Sequence, residues 1–207
     1  METRHRMSGH GGRATISKSH IMIKRNPILI LLICIIVKGP CFMSILRRYH
    51  SAGNIYFITN VTHDRRPILV NNAGLFWDSI NSIKTRIDFE LIAYVLIPDH
   101  FHILIDPKSA NISHILQRLK MSFGVKYRIA RGDDSGRVWQ NRFWDHIIRN
   151  QEDMNRHIDY IHYNPVKHGL SKSPFDWKDS SISNYKEFYP TDWGENEPIS
   201  FDDDFGE

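Results

Sequence analysis

Two histidines separated by one residue, His100-Phe101-His102, form the first constellation in this sequence that could do chemistry. Alternate side chains of an extended strand share a face, so both imidazoles would project together while Phe101, Ile103 and Ile105 turn the other way. Two neutral imidazoles at that spacing can share one divalent ion, provided a partner holds the second nitrogen of each ring. Taken alone the pattern is weak, and in an arbitrary protein two polar residues on the wet face of a strand explain it better.

The second constellation surrounds Tyr160, in the segment DYIHYNPVKHGL from Asp159 to Leu170. At about 100° per residue, Met154, Ile158 and Ile161 would form the apolar face of a helix, with His157, Tyr160 and Asn164 together on one flank. Tyr163 turns nearly opposite, so the two tyrosines are not equivalent. Pro165 disfavours helical geometry at Asn164, and the plain alternative for Tyr160 is an aromatic packed beside the core. Together the constellations suggest a reaction. A free phenol has a pKa of about 10 and is a poor nucleophile, but a metal bound to a phosphate makes phosphorus more electrophilic and neutralises developing charge. Attack by the phenolate would leave DNA joined to the protein as a 5′-phosphotyrosine and free a 3′-hydroxyl. Because the bond is exchanged, a second DNA end can reverse the step without ATP.

Elements able to position these groups are legible nearby. The β-branched and aromatic run at 54–62 predicts a strand, and Asn71 or Asn72 can cap a helix reaching about Arg86. Residues 89–97 predict an apolar strand, turned by Pro98-Asp99 into a second strand from His100 to Ile105. Ser109 or Asn111 opens a helix with Ile112, Ile115, Leu116, Leu119 and Phe123 at helical spacing. Its bases, Arg118, Lys120, Lys126, Arg128 and Arg131, suit either a solvated face or a DNA-contacting one. Residues 142–149 predict a last strand, and Asn150 with Asp153 a capped helix from Gln151. The order predicts an α+β fold: a ferredoxin-like split β-α-β antiparallel sheet with helices on one face and an added C-terminal helix. The other face would be free for a substrate or a second subunit.

Three blocks, YVLIPDHFHILI (Tyr94 to Ile105), WQNRFWDHIIR (Trp139 to Arg149) and DYIHYNPVKHGL, resemble in order and spacing the hallmark segments of the REP-associated tyrosine transposases, single-tyrosine members of the HUH class. The likeness covers about residues 44 to 190, and the opening Leu46-Arg47-Arg48-Tyr49 is similar too. It implies a transposase-like, metal-dependent single-stranded DNA endonuclease and strand transferase, with His100 and His102 as the metal-binding pair, Tyr160 as nucleophile and Asn164 completing the metal site. Mg²⁺ or Mn²⁺ suits such oxygen and imidazole ligands. The implied partner is single-stranded or hairpin DNA at palindromic repeats, with the enzyme a monomer or homodimer. His146, His157, His162 and His168 remain structural or DNA-contacting. Tyr56, Trp139, Phe143 and Trp144 could stack on bases, although core packing suits most of them. A non-catalytic nucleic-acid-binding module of the same fold is the rival reading.

Bulk properties are compatible with either. At 207 residues the chain can bury one good core. Its only cysteines, Cys34 and Cys41, precede the predicted domain and argue against a disulfide framework or a Cys-rich zinc site, consistent with a cytoplasmic setting. Residues 1–42 are basic, and 27–37, PILILLICIIV, are apolar but shorter than the roughly 20 residues of a membrane span. No stable membrane association is expected. The segment reads as non-native sequence ahead of a start at Met43, as a signal or anchor, or as a genuine extension, the first being preferred. Residues 43–190 form the predicted domain. Residues 191–207 carry seven acids and no Lys or Arg and are expected to be a disordered tail.

Overall fold

A computed structural model describes residues 53–195, 198–201 and 205–207, all within one compact unit. The apolar run at 27–37, the Met43 start and Leu46 to Tyr49 lie outside the described residues.

Every strand and helix expected from the sequence forms, with strand ends moved by a residue or two. The strands are β1 (Tyr56–Val61), β2 (Glu90–Leu96), β3 (His100–Asp106) and β4 (Trp144–Ile147). The helices are α1 (Ala73–Lys84), α2 (Ile112–Arg131) and α3 (Gln151–Lys167). The sheet is antiparallel in the order β2-β3-β1-β4, as a split β-α-β arrangement requires. A two-residue Pro98-Asp99 turn joins β2 to β3, closed by Ile97 N–H donating to the His100 carbonyl at 2.9 Å. Asn111 and Asn150 cap α2 and α3, each side chain accepting an N–H three residues on. These bonds satisfy backbone donors that a helix start otherwise leaves open.

One face of the sheet carries α1 and α2. Ile58, Phe101, Ile103 and Ile105 meet Phe76, Ile80, Leu116, Leu119 and Phe123 there in a continuous core. Trp139 belongs to this core, with Tyr56 and Phe143 packed against it. Several bases of α2 are tied to neighbouring loops: Lys120 Nζ donates to the Gln140 carbonyl at 2.7 Å, Arg128 to that of Gly136, and Arg131 to Asp133.

The opposite face is not open, contrary to the expectation from the sequence. Helix α3 lies across it, burying Met154, Ile158, Tyr160 and Ile161 against Phe57, Ala93, Val95 and Leu104. A strand alternating Phe57, Thr59 on one side with Ile58, Asn60 on the other is apolar enough to be covered twice. Residues 177–185 then close the free edge of β2. Trp177 Nε1 donates to the Leu96 carbonyl, Leu96 N–H to that of Asp179, and Tyr185 Oη to that of Ile92, so the edge is not left as a template for another strand.

The acidic end differs as well. Among its acids stand Trp193, Ile199, Phe201 and Phe205, and these four apolar residues pack. Trp193 joins Tyr163 and Ile182 in a small cluster, and Phe205 joins the α3 core. Composition alone does not weigh four well-spaced apolar anchors against seven charges. Among the described residues no helix is long and apolar enough to cross a membrane.

Phe101 is fully buried against Phe76 and Trp139, with ring centroids 5.1 and 5.6 Å away. Phe101→Ala should destabilise the fold by about 3–5 kcal/mol, measured by chemical denaturation. A loss below about 1 kcal/mol would mean that this core does not hold the histidine strand in place.

Candidate active site

The pairing of β1 with β3 sets Thr59 opposite His102. The Thr59 hydroxyl donates to the Phe205 carbonyl at 2.5 Å and lies 2.7 Å from His102 Nδ1. A hydroxyl has one hydrogen, so Nδ1 is the donor to Thr59, which turns Nε2 the other way. His100 is fixed by its neighbour in the chain. Its Nδ1 lies 2.7 Å from Asp99 Oδ1, and a carboxylate can only accept. Arg65 holds the other Asp99 oxygen at 3.0 Å. Both imidazoles therefore present Nε2 toward one point, with ring centroids 4.9 Å apart.

Asn164 reaches the same point from α3. The helix continues through Pro165 to Lys167, so the proline does not carry Asn164 off the flank it shares with Tyr160. Asn164 is fully buried, and its Oδ1 has no hydrogen-bond partner. Neither has His100 Nε2. Buried polar atoms are nearly always satisfied, and here an imidazole nitrogen and an amide oxygen, on residues that both approach Glu207, are not. That donor set suits a divalent cation, which would supply Lewis-acid polarisation of a phosphate.

The chain's own carboxylate fills this place. Glu207 Oε1 lies 2.8 Å from His102 Nε2 and 3.5 Å from His100 Nε2, the latter too long for a hydrogen bond, and it accepts from Asn164 Nδ2 at 2.7 Å. Its Oε2 meets Lys167 Nζ at 2.5 Å and His168 Nε2 at 3.2 Å. Gly206 makes the approach possible. Its φ is +74° and a Cβ would fall 2.4 Å from the Trp144 ring, so only glycine fits without displacement. Charge follows the geometry. Burial would raise the Glu207 pKa, but His100, His102 and His168 hold it far below the usual carboxylate range. Burial pushes His102 down to about 4. Burial would lower His100 too, yet its contacts with Asp99 and Glu207 raise it. Asp99 is drawn to about 2, chiefly by its hydrogen bond with His100.

Tyr160 lies beside this cluster, 5.3 Å from His102 between ring centroids and only 1% exposed. Phe205 stacks on it at 3.6 Å with the planes 8° apart, and Lys167 Nζ donates to its Oη at 2.8 Å. Tyr163 is buried elsewhere, its Oη accepting from Ile199 N–H. The expected site residues His100, His102, Tyr160 and Asn164 thus come together, while Tyr163 does not join them. Sequence reasoning missed Thr59, Asp99, Lys167, Phe205 and Glu207. Asp99 adjoins His100, and Lys167 follows Tyr160 by two helical turns, so both left a signal. Thr59 needed the strand register. Nothing in the sequence marked Glu207.

A second cluster, His146, Asp153 and His157, joins β4 to the start of α3 with its ligand-type atoms within 4.8 Å of one another. Asp153 Oδ2 already accepts from His146 Nε2 and Arg149 N–H, and His157 Nδ1 donates to the Asp153 carbonyl. Those bonds give the cluster a structural part. His162 is held in the same way, between Tyr189 Oη and Ser181 Oγ.

An antiparallel split β-α-β sheet with a His-X-His strand beside a helix-borne tyrosine defines a DNA transposase of the HUH type. Residues 51–164 match the family model described as Transposase IS200 like. The chain is 33% identical over 160 residues to the REP-associated tyrosine transposase of Escherichia coli K12, covering 73% of this chain and 91% of that protein. A Haemophilus influenzae relative assigned to the same group is 34% identical over 181 residues, 78% of this chain and 99% of the relative. The solved structure of a REP-associated tyrosine transposase bound to a REP hairpin is 33% identical, with a TM-score of 0.62 over 77% of this chain and 96% of that one. The chain belongs to the REP-associated tyrosine transposases, within the IS200-like family, and is a DNA-processing enzyme.

Replacing Thr59 by Val frees His102 to adopt the other tautomer while preserving shape. Such partners of ligating histidines typically contribute tenfold to a hundredfold in affinity, so Thr59→Val should weaken Mn²⁺ binding by about that factor in calorimetry. Unchanged affinity would show that the Nδ1 hydrogen bond does not orient the ring for a metal.

Proposed function

We propose that this protein cuts and rejoins single-stranded DNA at hairpin-forming repeats, with Tyr160 as nucleophile and a Mg²⁺ or Mn²⁺ ion held by His100, His102 and Asn164. The observation that carries the reading is a pair of buried atoms, His100 Nε2 and Asn164 Oδ1, that lack a hydrogen-bond partner, on residues gathered with His102 around Glu207, while the Tyr160 ring lies 5.3 Å from that of His102. The ion, when bound, withdraws charge from the scissile phosphate. The remaining work falls to side chains of this chain. Thr59 and Asp99 hold the two rings in the ligating tautomer. Phe57, in contact with both the His102 and Tyr160 rings, keeps the nucleophile at a fixed distance from the histidines. Tyr160 Oη forms a bond to phosphorus as the bond to the 3′-oxygen breaks; that oxygen leaves with the electron pair and takes a proton. The phosphotyrosine conserves the bond energy, so a second 3′-hydroxyl can reverse the exchange. The hairpin substrate is inferred from the complex of the related transposase with a REP hairpin.

In this conformation Glu207 and Phe205 cover both the ligand point and the tyrosine. A carboxylate among His102, Asn164 and Lys167 excludes a phosphate from the same place, so the end of the chain must withdraw before DNA enters. The acidic segment therefore weakens DNA binding.

Tyr160→Phe should abolish the covalent adduct on a denaturing gel while leaving hairpin binding nearly unchanged, because only the nucleophilic oxygen is removed. Tyr163→Phe should cut normally. His100→Ala and His102→Ala should each slow cleavage by at least about a hundredfold, as EDTA should for the wild type. An adduct that survives in Tyr160→Phe would overturn the assignment.

Glu207→Gln removes one negative charge from the covering segment. It should tighten binding of a hairpin oligonucleotide several-fold at low salt, with the gain shrinking as screening increases. Equal affinities at low salt would contradict the covering role.

A further inference from the structure

Glu207 does more than block the site, because its two oxygens are shared between two different sets of groups. One oxygen faces the histidines and Asn164, the donors assigned to the metal. The other faces Lys167 at 2.5 Å and His168 at 3.2 Å. A phosphodiester also has two non-bridging oxygens on one centre, and it would present them to the same two sides. Lys167 contacts the carboxylate and the Tyr160 hydroxyl at once, its Nζ donating to Oη at 2.8 Å and lying 4.7 Å from the ring centroid.

We infer that Lys167 is a catalytic residue of the strand exchange, its ammonium bridging the attacking Tyr160 oxygen and one non-bridging oxygen of the scissile phosphate. This rests on the reading of Tyr160 as nucleophile and adds a role that the HUH pair cannot fill. Lys167 follows Tyr160 by seven residues, two turns along one stripe of α3, so its side chain reaches back over the tyrosine. It is the last residue of the helix, where the helix dipole favours a cation. In the transition state the Oη–P bond forms while the P–O3′ bond breaks, and charge accumulates on the non-bridging oxygens. The ammonium already stands at the point where the nucleophile and one of those oxygens meet. It keeps its protons throughout; the phenolic proton goes to solvent and the 3′-oxygen takes one from solvent. Fixed donors of this kind act because they need no reorganisation as charge develops.

The competing role for Lys167 is only to anchor Glu207, and the two roles predict opposite effects. The probe is a labelled REP hairpin oligonucleotide with the wild-type cut mapped to one linkage, used with the full-length chain. If Lys167 is catalytic, Lys167→Met should slow single-turnover cleavage with Mn²⁺ at saturating DNA by about a hundredfold, and Lys167→Arg should recover most of the rate. A mere anchor, once removed, would leave cleavage as fast as wild type or faster, and that result overturns the inference. Binding supplies an independent readout without chemistry or metal. In EDTA and a Tyr160→Phe background, a neutral methylphosphonate at the cut linkage should weaken affinity about tenfold, the loss of one charge-assisted contact. With Lys167→Met added, that penalty should vanish. A penalty of equal size with and without Lys167 would also overturn it. Failure of the underlying reading is recognised separately, since wild type would then form no covalent adduct with any cut hairpin, whatever occupies position 167.

Discussion

The register of β1 against β3 is the constraint on which the site depends. It places Thr59 directly across from His102, where a threonine hydroxyl can accept the Nδ1 hydrogen and turn Nε2 inward. A slip of one residue would turn every side chain of the strand to the opposite face, sending the histidines into the α1 and α2 core and Phe101 into the site. The apolar content of Phe101, Ile103 and Ile105 against α1 and α2 makes that slip costly. Core packing thus fixes the face on which both imidazoles stand.

The second face of the sheet unites the remaining parts. Helix α3 is held there by Met154, Ile158 and Ile161, and its start is tied to β4 through Asp153 and His146. Packing brings Tyr160, Asn164 and Lys167 to successive turns over β3. The two histidines come from β3 and Tyr160 and Asn164 from α3, and a rigid helix on a rigid strand fixes their separation better than loops could. The surroundings are largely apolar, with Phe57 touching His102, His157, Tyr160 and Phe205. Electrostatic contacts in such a place are stronger than in water, which explains how three histidines and a lysine can hold a single carboxylate so firmly.

Much of this was legible in the sequence because it rests on short-range rules. Alternation in β1 to β3, helical spacing in α2 and the asparagine caps place the elements within a residue or two. His-X-His and the Tyr160-Asn164 spacing mark the site, since both are fixed by local periodicity. What was not legible depends on contacts distant along the chain. An open sheet face was expected because the sequence offers no rule for where α3 docks. The role of Thr59 required knowing its partner across the sheet. The ending was read from its charge, yet Trp193, Ile199, Phe201 and Phe205 supply the apolar anchors, and Gly206 supplies the backbone conformation, that deliver Glu207 to the histidines.

The claim that joins these observations is that Tyr160, and no other nucleophile, receives the phosphate beside the two histidines. It is tested most directly by mass spectrometry of the protein after incubation with hairpin DNA and Mn²⁺, nuclease trimming and proteolysis. The account predicts a nucleotide 5′-phosphate on the peptide containing Tyr160, with fragmentation locating it on that residue, and no label when EDTA replaces Mn²⁺. A phosphate on Tyr163 or any other side chain, or cut DNA with no protein-linked product, would contradict it.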